Sequence, residues 1–476
     1  MLATILLAVA LAATPTPTSP SGPVTGPVDA AAIDTVVTRW REATGTPGVA
    51  VAVTRGREVV HTAGYGHTAE GDPVTDRTVL AVASVSKAFT GLAVAQLADA
   101  GRIDLDAPVR RYLPDFTTRD DRSDRITVRQ LLHHTSGLSD TTYRPFSGPV
   151  PQTLAEAVTL LRTADLAADP GARFDYHNPN YQLAARIVEV VSGEPFADYL
   201  RRHVFGPLGM HDSRSANVSA DLPTGSRGHI RIAGLSVALP EPPAFGAGSG
   251  GVLSTAHDLS RWLIFQQDPQ SHPVLSATGL TETHRPSHFG HGFGWYVGTT
   301  ASGAPLRHHS GHMLTFTAYH AVLPASGYSI AVLSNARTGH ADAPELGDLL
   351  VDLVEGRPVG RPGPSPAWID VLLLAAVPAV VLLAARGVRR ARRWADRPRH
   401  RLGTTLRLLT LTAPIALLVT LHRIAGFLYR GRDISWWQTT YLYPAFVALL
   451  AVTAAAGLLV LAARLRQLRT RRGRTS

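Results

Sequence analysis

Three runs of about twenty mainly apolar residues, Trp368 to Ala385, Leu402 to Leu421 and Tyr441 to Ala463, occupy the last part of this 476-residue chain. Each is long enough to cross a hydrocarbon core of about 30 Å as a helix. Arginines flank all three runs, which makes burial inside a soluble core the weaker reading. The loop from Arg386 to Arg401 carries eight arginines and the tail from Arg464 carries six, whereas the loop from His422 to Thr440 carries three beside Trp436 and Trp437. The positive-inside bias then puts the first loop and the tail in the cytoplasm, and everything before the first span outside. The expected location is the cell membrane, multi-pass, with the globular part on the extracytoplasmic side.

This partition also explains the charge. Of the formal +10, the segment from Ala367 to Ser476 supplies 18 arginines against Asp370, Asp396 and Asp433, a net +15, so the rest of the chain stands near −5. The basic balance belongs to the membrane region, and no nucleic-acid partner is expected. The absence of cysteine excludes disulfides, thiolate metal sites and a cysteine nucleophile.

Five regions follow from composition. Residues 1–13, apolar and ending in small residues, read as a secretory signal peptide, or as an uncleaved anchor because no basic residue precedes Leu2. Residues 14–30 form a linker rich in Pro, Thr and Ser; 31–356 form a globular domain; 357–366 form a proline-rich linker; and 367–476 form the membrane region. Within the globular domain, the pattern predicts a helix near Ile33 to Glu42 and a hairpin of Gly48 to Thr54 with Glu58 to Ala63. A capping box at Thr153 to Glu156 and a helix over Tyr181 to Val191 follow. Strands return at Phe293 to Gly298, Leu314 to Leu323 and Tyr328 to Ser334, before a helix from Pro344 to Val354. Strands at both ends with helices between them imply an α+β fold, its sheet assembled from the two ends and its site between the layers.

Only one of the 46 basic residues is a lysine, Lys87. Arginine serves wherever a permanent charge suffices, but it cannot give up its proton; a lysine amine can be pushed toward neutrality and then accept one. Ser84 precedes Lys87 by three residues, the SxxK spacing of acyl-transfer enzymes, which stacks a hydroxyl and an amine on one helical face. A nucleophilic Ser84 needs proton carriers and donors for a developing oxyanion. Tyr176-His177-Asn178 offers a phenol that can relay protons and an amide that can hold a carbonyl. In His309-Ser310-Gly311, a glycine lets a substrate backbone approach a strand edge, and the backbone N–H of His312 can join that of Ser84 as an oxyanion hole.

Three further runs accompany these motifs in order: Leu131 to Leu138 (LLHHTSGL), Phe205 to Met210 (FGPLGM) and Gly250 to Leu259 (GGVLSTAHDL). With them the globular region resembles the serine beta-lactamase and penicillin-binding-protein superfamily, in its class C beta-lactamase-like branch of DD-peptidases and esterases. The resemblance implies a beta-lactamase/transpeptidase-like fold: an antiparallel sheet flanked by helices, plus a helical subdomain. It implies that Ser84 forms an acyl-enzyme, that Lys87 helps deprotonate it, that Tyr176 is the general base with Lys87 and later activates water, and that Asn178 orients the acyl side chain. His309 takes the place of the lysine in the KTG motif, where a histidine is a weaker anchor for a substrate carboxylate.

The histidine sets His133/His134 and His308/His309/His312 lack thiolates and any HExxH pattern, so no metal or other cofactor is expected, and His134 reads as structural. Ser254-Thr255 reads as a helix N-cap with Asp258 in the first turn. The expected function is an exported, membrane-anchored serine hydrolase acting on a small peptide or ester, most simply a D-alanyl-D-alanine carboxypeptidase or beta-lactamase-like enzyme of cell-wall peptides. An esterase of the same family is the first alternative, and a catalytically idle sensor coupled to the membrane helices the second.

Overall fold

The computed structural model describes residues 28–222, 227–272, 274–339, 342–363, 365–396 and 401–472. The expected signal segment, and all but the last residues of the linker after it, lie outside that set. Helix α1 (Ala30–Thr44) leads into strands β1 (Gly48–Arg55) and β2 (Glu58–Gly66). The chain then builds a helical body that includes α2 (Ser86–Asp99), α3 (Asn178–Ser192) and α4 (Ala256–Gln267). It returns as β3 (Tyr296–Thr299), β4 (Pro305–His312), β5 (Thr317–Val322) and β6 (Tyr328–Ser334), followed by α5 (Ala343–Val354). The six strands form one sheet in the order β2-β1-β6-β5-β4-β3, with antiparallel neighbours throughout. The two ends of the domain meet at its centre, where Val49 lies opposite Ser334.

Strand periodicity divides the core. Ala50 and Ala52 face the helical body together with Ala318, Ala331 and Leu333, whereas Val49, Val51 and Val53 face α1 and α5. The small side chains toward the body let α4 lie close to the sheet, with Trp262 stacked between Phe89 of α2 and Trp295. On the other face, Ile33, Val37 and Trp40 of α1 pack with Leu346 and Leu350 of α5, and the Trp40 indole donates to Glu345 at 3.0 Å. Helix α2 is buried nearly all round its first turns, which explains why it lacks an amphipathic pattern.

Several expectations change in detail. The strand-like run Pro305 to His308, which the sequence places just before the motif His309 to Gly311, extends through the motif as β4. Thr153 caps its helix by accepting from the Glu156 N–H, but the Glu156 carboxylate takes the Gln152 N–H, so the reciprocal half of the predicted box is missing. Thr255 alone caps α4; Ser254 ends a short strand, Val252–Ser254, and its hydroxyl meets that of Ser213.

Beyond the domain, α6 (Ala367–Arg389) is apolar and long enough to cross a membrane, as is the helix that begins at Pro444. The run expected at Leu402 to Leu421 is broken: α7 (Arg401–Leu409) and α8 (Ala413–Leu428) meet at 45°, and they give a third span only if counted together. Pro414 explains the break, since it has no N–H to offer the Thr410 carbonyl and its ring crowds that carbonyl, so the preceding helix cannot run through. The last helix, α10 (Pro444–Arg472), starts three residues later than expected because α9 (Trp436–Leu442) is a separate turn that Pro444 cannot extend.

Gly294 sits against the first turn of α2 with φ of +82°, where a Cβ would lie 2.4 Å from the Ala88 nitrogen. Gly294→Ala is therefore expected to lower the free energy of unfolding by about 1–3 kcal/mol, read as a lower chemical-denaturation midpoint. An unchanged midpoint would refute this close approach.

Candidate active site

Ser84 stands in a single 3₁₀ turn, Ala83–Val85, between the short strand Leu80–Ala81 and α2. Ala83 has φ of +48°, a strained value for a non-glycine residue, and the turn exposes Ser84 at the mouth of a cleft. The turn is tied down from behind, because Ser86 accepts the Val252 N–H through its hydroxyl at 2.9 Å.

Lys87 lies one turn further and is fully buried. Its amine donates to Ser84 Oγ at 3.1 Å, to Asn178 Oδ1 at 2.9 Å and to the Ser249 carbonyl at 2.7 Å. The Tyr176 ring centroid is 4.8 Å from Nζ and that of Tyr181 is 5.7 Å away. Burial drives the amine well below its ordinary value of 10.5; the nearby Arg432 charge pushes the same way and Asp140 opposes it. Burial also pushes the Tyr176 phenol up, with its hydrogen bond to Ser84 pulling the other way. The site thus sets an amine whose burial disfavours its charged form beside a phenol that holds its proton, both within reach of one hydroxyl.

The backbone of Tyr176 to Asn178 is held by the run Leu131 to Leu138. His134, with φ of +56°, accepts the His177 N–H at 3.3 Å on Nδ1 and meets Asn180 at 3.2 Å on the same atom. The His177 ring pairs with Asp140 at 2.7 Å, and Ser136 donates to Asn180 at 2.7 Å. This polar scaffold is buried and fixes the phenol and the Asn178 amide relative to Ser84.

His309 is buried, its ring 6.0 Å from that of Tyr176 and 5.2 Å from that of Tyr296, with Nδ1 against the Ser310 carbonyl at 2.7 Å. Burial first, then neighbouring positive charge, holds it and His134 well below the imidazole range, and His291 at about 3. The ring that stands where a lysine was the family pattern is thus neutral. Gly311 serves a tighter contact than expected: a Cβ there would lie 2.2 Å from the Val82 carbonyl, so the glycine lets β4 close onto the Ser84 turn itself. His312, at the end of β4, borders the same cleft as Ser84.

That cleft is a cavity of about 450 Å³ lined by Ser84, Asn178, Phe245, Gly250, His312 and Arg337 among others. Two of its supports escaped sequence reasoning. The Ser249 carbonyl carries no side-chain signal, and Glu241 accepts from the backbone of Leu314 and Thr315 and the hydroxyl of Thr315, all within 2.9 Å, bracing the turn after β4. Among the described residues no three His, Asp or Glu side chains converge to hold a metal ion.

The beta-lactamase family profile matches residues 33–355, from α1 through α5. The chain belongs to the beta-lactamase family. Penicillin-binding protein 4 of Amycolatopsis lactamdurans is 31% identical over 355 residues, 69% of this chain and 92% of that protein. Protein flp of Staphylococcus aureus strain MW2 is 28% identical over 317 residues, 64% of this chain; the match spans 62% of flp's own length. The solved D-stereospecific amidohydrolase from Streptomyces sp. superposes with a TM-score of 0.54 at 25% identity, covering 65% of this chain and 95% of that one. This family member has a mixed α+β fold, and its family match ends before the apolar helices begin.

The depressed Lys87 value has a thermodynamic signature. The unfolded chain binds a proton at Lys87 up to about pH 10.5, whereas the folded chain releases it at a much lower pH. Between those values the unfolded state holds more protons, so stability rises with pH. The stability of the wild type relative to Lys87→Met should therefore grow by up to about 1.4 kcal/mol per pH unit across that window, measured by denaturant unfolding at several pH values. A pH-independent difference would mean the amine stays charged.

Proposed function

We propose that this protein is an exported, membrane-anchored serine hydrolase that forms an acyl-enzyme on Ser84 and acts on amide bonds of cell-wall peptides or related D-amino-acid amides. The observation that carries this reading is the buried Lys87 amine at 3.1 Å from Ser84 Oγ, where burial disfavours the charged form and so favours a proton acceptor. Lys87 takes the Ser84 proton while Oγ bonds to the substrate carbonyl carbon, and the backbone N–H groups of Ser84 and His312 receive the developing oxyanion. The proton passes through the Tyr176 phenol to the leaving amine as the C–N bond breaks, leaving the acyl group on Oγ. Water then adds to the acyl carbon, gives a proton to the Tyr176–Lys87 pair, and displaces Oγ, which recovers its proton. A protonated Tyr176 is here the relay and Lys87 the resident base. Asn178, which already accepts from Lys87, presents its N–H₂ toward the cleft for the acyl side chain.

The names of two relatives support the substrate class: a penicillin-binding protein and a D-stereospecific amidohydrolase. Arg337 supports it independently. It borders the cleft and donates to the Met313 carbonyl at 2.8 Å, a cation that Asp342 and Glu241 offset and that a substrate carboxylate would meet at the cleft edge. The neutral His309 favours a second reading, an esterase that needs no carboxylate anchor.

The arginine-bearing end of α10 lies away from the domain, where Arg471 donates to the Ala395 carbonyl, while the start of α6 touches it through Asp370 and the Ala233 N–H. Domain and arginines therefore occupy opposite ends of the helices, which supports an extracytoplasmic catalytic domain.

Intact-protein mass spectrometry after exposure to a fluorophosphonate and to benzylpenicillin tests the nucleophile: one adduct on the wild type and none on Ser84→Ala is expected, and an adduct that persists in the variant would overturn the assignment. Lys87→Arg should lose about 10²–10⁴-fold in acylation rate, followed as the rate of adduct formation; full activity would mean that charge alone was required. Faster turnover of a D-alanyl-D-alanine peptide than of a short nitrophenyl ester selects the peptidase reading, and the reverse selects the esterase.

A further inference from the structure

The loop between α8 and α10, residues 429–443, does not stay with the membrane helices. Its backbone and side chains run into the catalytic domain beside the Tyr176 segment. Arg432 donates through Nη1 to the Tyr176 carbonyl, pairs through Nε with Asp140 at 3.1 Å, and lies with its guanidinium carbon 5.2 Å from the Tyr176 ring centroid. The Asp433 N–H donates to the same Asp140 carboxylate at 3.1 Å. The buried Asp433 carboxylate in turn accepts the N–H groups of Phe146 and Ser147, at 2.6 and 2.8 Å, and the Ser147 hydroxyl. Further along, Ser435, Trp436, Trp437 and Gln438 line the same cavity as Ser84 and Asn178.

We propose that this loop is a working wall of the active site, and that Arg432 is a positioning residue that sets the Tyr176 phenol against Ser84 and Lys87. The inference rests on the acyl-enzyme reading given above. A simple tether could contact the domain anywhere, whereas Arg432 meets the one segment that carries Tyr176 and the carboxylate that orients His177, with Asp433 anchoring the loop on Phe146 and Ser147 beside them. Two paired groups, a buried aspartate and a half-buried arginine held between a carbonyl and a carboxylate, make the contact specific. The loop also lends the cleft aromatic surface through Trp436 and Trp437.

Arg432 acts electrostatically as well. The groups that face the Lys87 amine are Tyr176, Tyr181, the neutral rings of His134, His291 and His309, the Asp140 carboxylate and Arg432. Of these, Arg432 disfavours the ammonium and Asp140 favours it. Removal of Arg432 leaves Asp140 less compensated, so Lys87 binds its proton more tightly and the acid limb of acylation moves to higher pH.

The test compares wild-type, Arg432→Gln and Arg432→Lys full-length proteins in detergent, following the rate of fluorophosphonate labelling of Ser84 from pH 5 to 10 alongside thermal unfolding. Arg432→Gln should label about 10- to 100-fold more slowly at neutral pH, with its acid limb about half a unit to one unit higher. Arg432→Lys should keep the wild-type limb, since the charge remains, but recover only part of the rate, since a single ammonium cannot hold both the carbonyl and the carboxylate. Equal rates and limbs for all three would overturn the inference while leaving the acyl-enzyme reading intact. If Arg432→Gln unfolds and a folded Arg432→Lys matches the wild type in rate and limb, Arg432 is only a brace, which also overturns it. A wild type that does not label at Ser84 would overturn the acyl-enzyme reading, and this inference with it.

Discussion

A lysine amine with no access to water is the constraint on which the rest of the structure turns. Lys87 is wholly enclosed, and a charged ammonium there would forgo its hydration for three acceptors and two aromatic faces. Burial tips the balance toward the neutral amine, and with it toward a group that can take the proton of Ser84. Arginine could not make that exchange, which is why a chain otherwise committed to arginine keeps this one lysine.

The fold achieves the enclosure by close approach of backbone to backbone. The Gly294 segment lies on the Lys87–Ala88 peptide, and the Gly311 segment of β4 lies on Val82 and Ala83. Around the amine, three imidazoles held neutral by burial add bulk and ring faces without adding charge. The remaining charges, Asp140 and Arg432, come from segments 292 residues apart in number and meet beside Tyr176. Proton-transfer capacity is thus a property of the whole enclosure and not of a local motif.

What was legible in the sequence follows the range of the interaction that encodes it. The SxxK pair, the strand alternation of β1 and β6, and the stop of α5 are written in residues within a few turns of one another, and the elements appear close to their expected bounds. The long apolar helices were legible from length and apolarity, but the Pro414 break was hidden inside an apolar run whose composition alone satisfies a span. The bare backbone of Gly311 is legible in the sequence, but its close neighbour Val82 is not, since only the folded chain brings it near. The Ser249 carbonyl has no side-chain signature at all, and the Arg432–Asp140 pair joins regions that separate sequence patterns describe as catalytic and membrane-embedded.

The uniqueness of Lys87 allows its protonation to be read directly. Lysine labelled with ¹³C at Cε and ¹⁵N at Nζ places one lysine side-chain signal in the full-length protein, and its shift against pH gives the ionisation of that amine alone. A midpoint far below 10.5, with a neutral amine throughout the range in which the enzyme works, is the result this account predicts. A midpoint at the ordinary value, with an ammonium persisting through neutral pH, would contradict it.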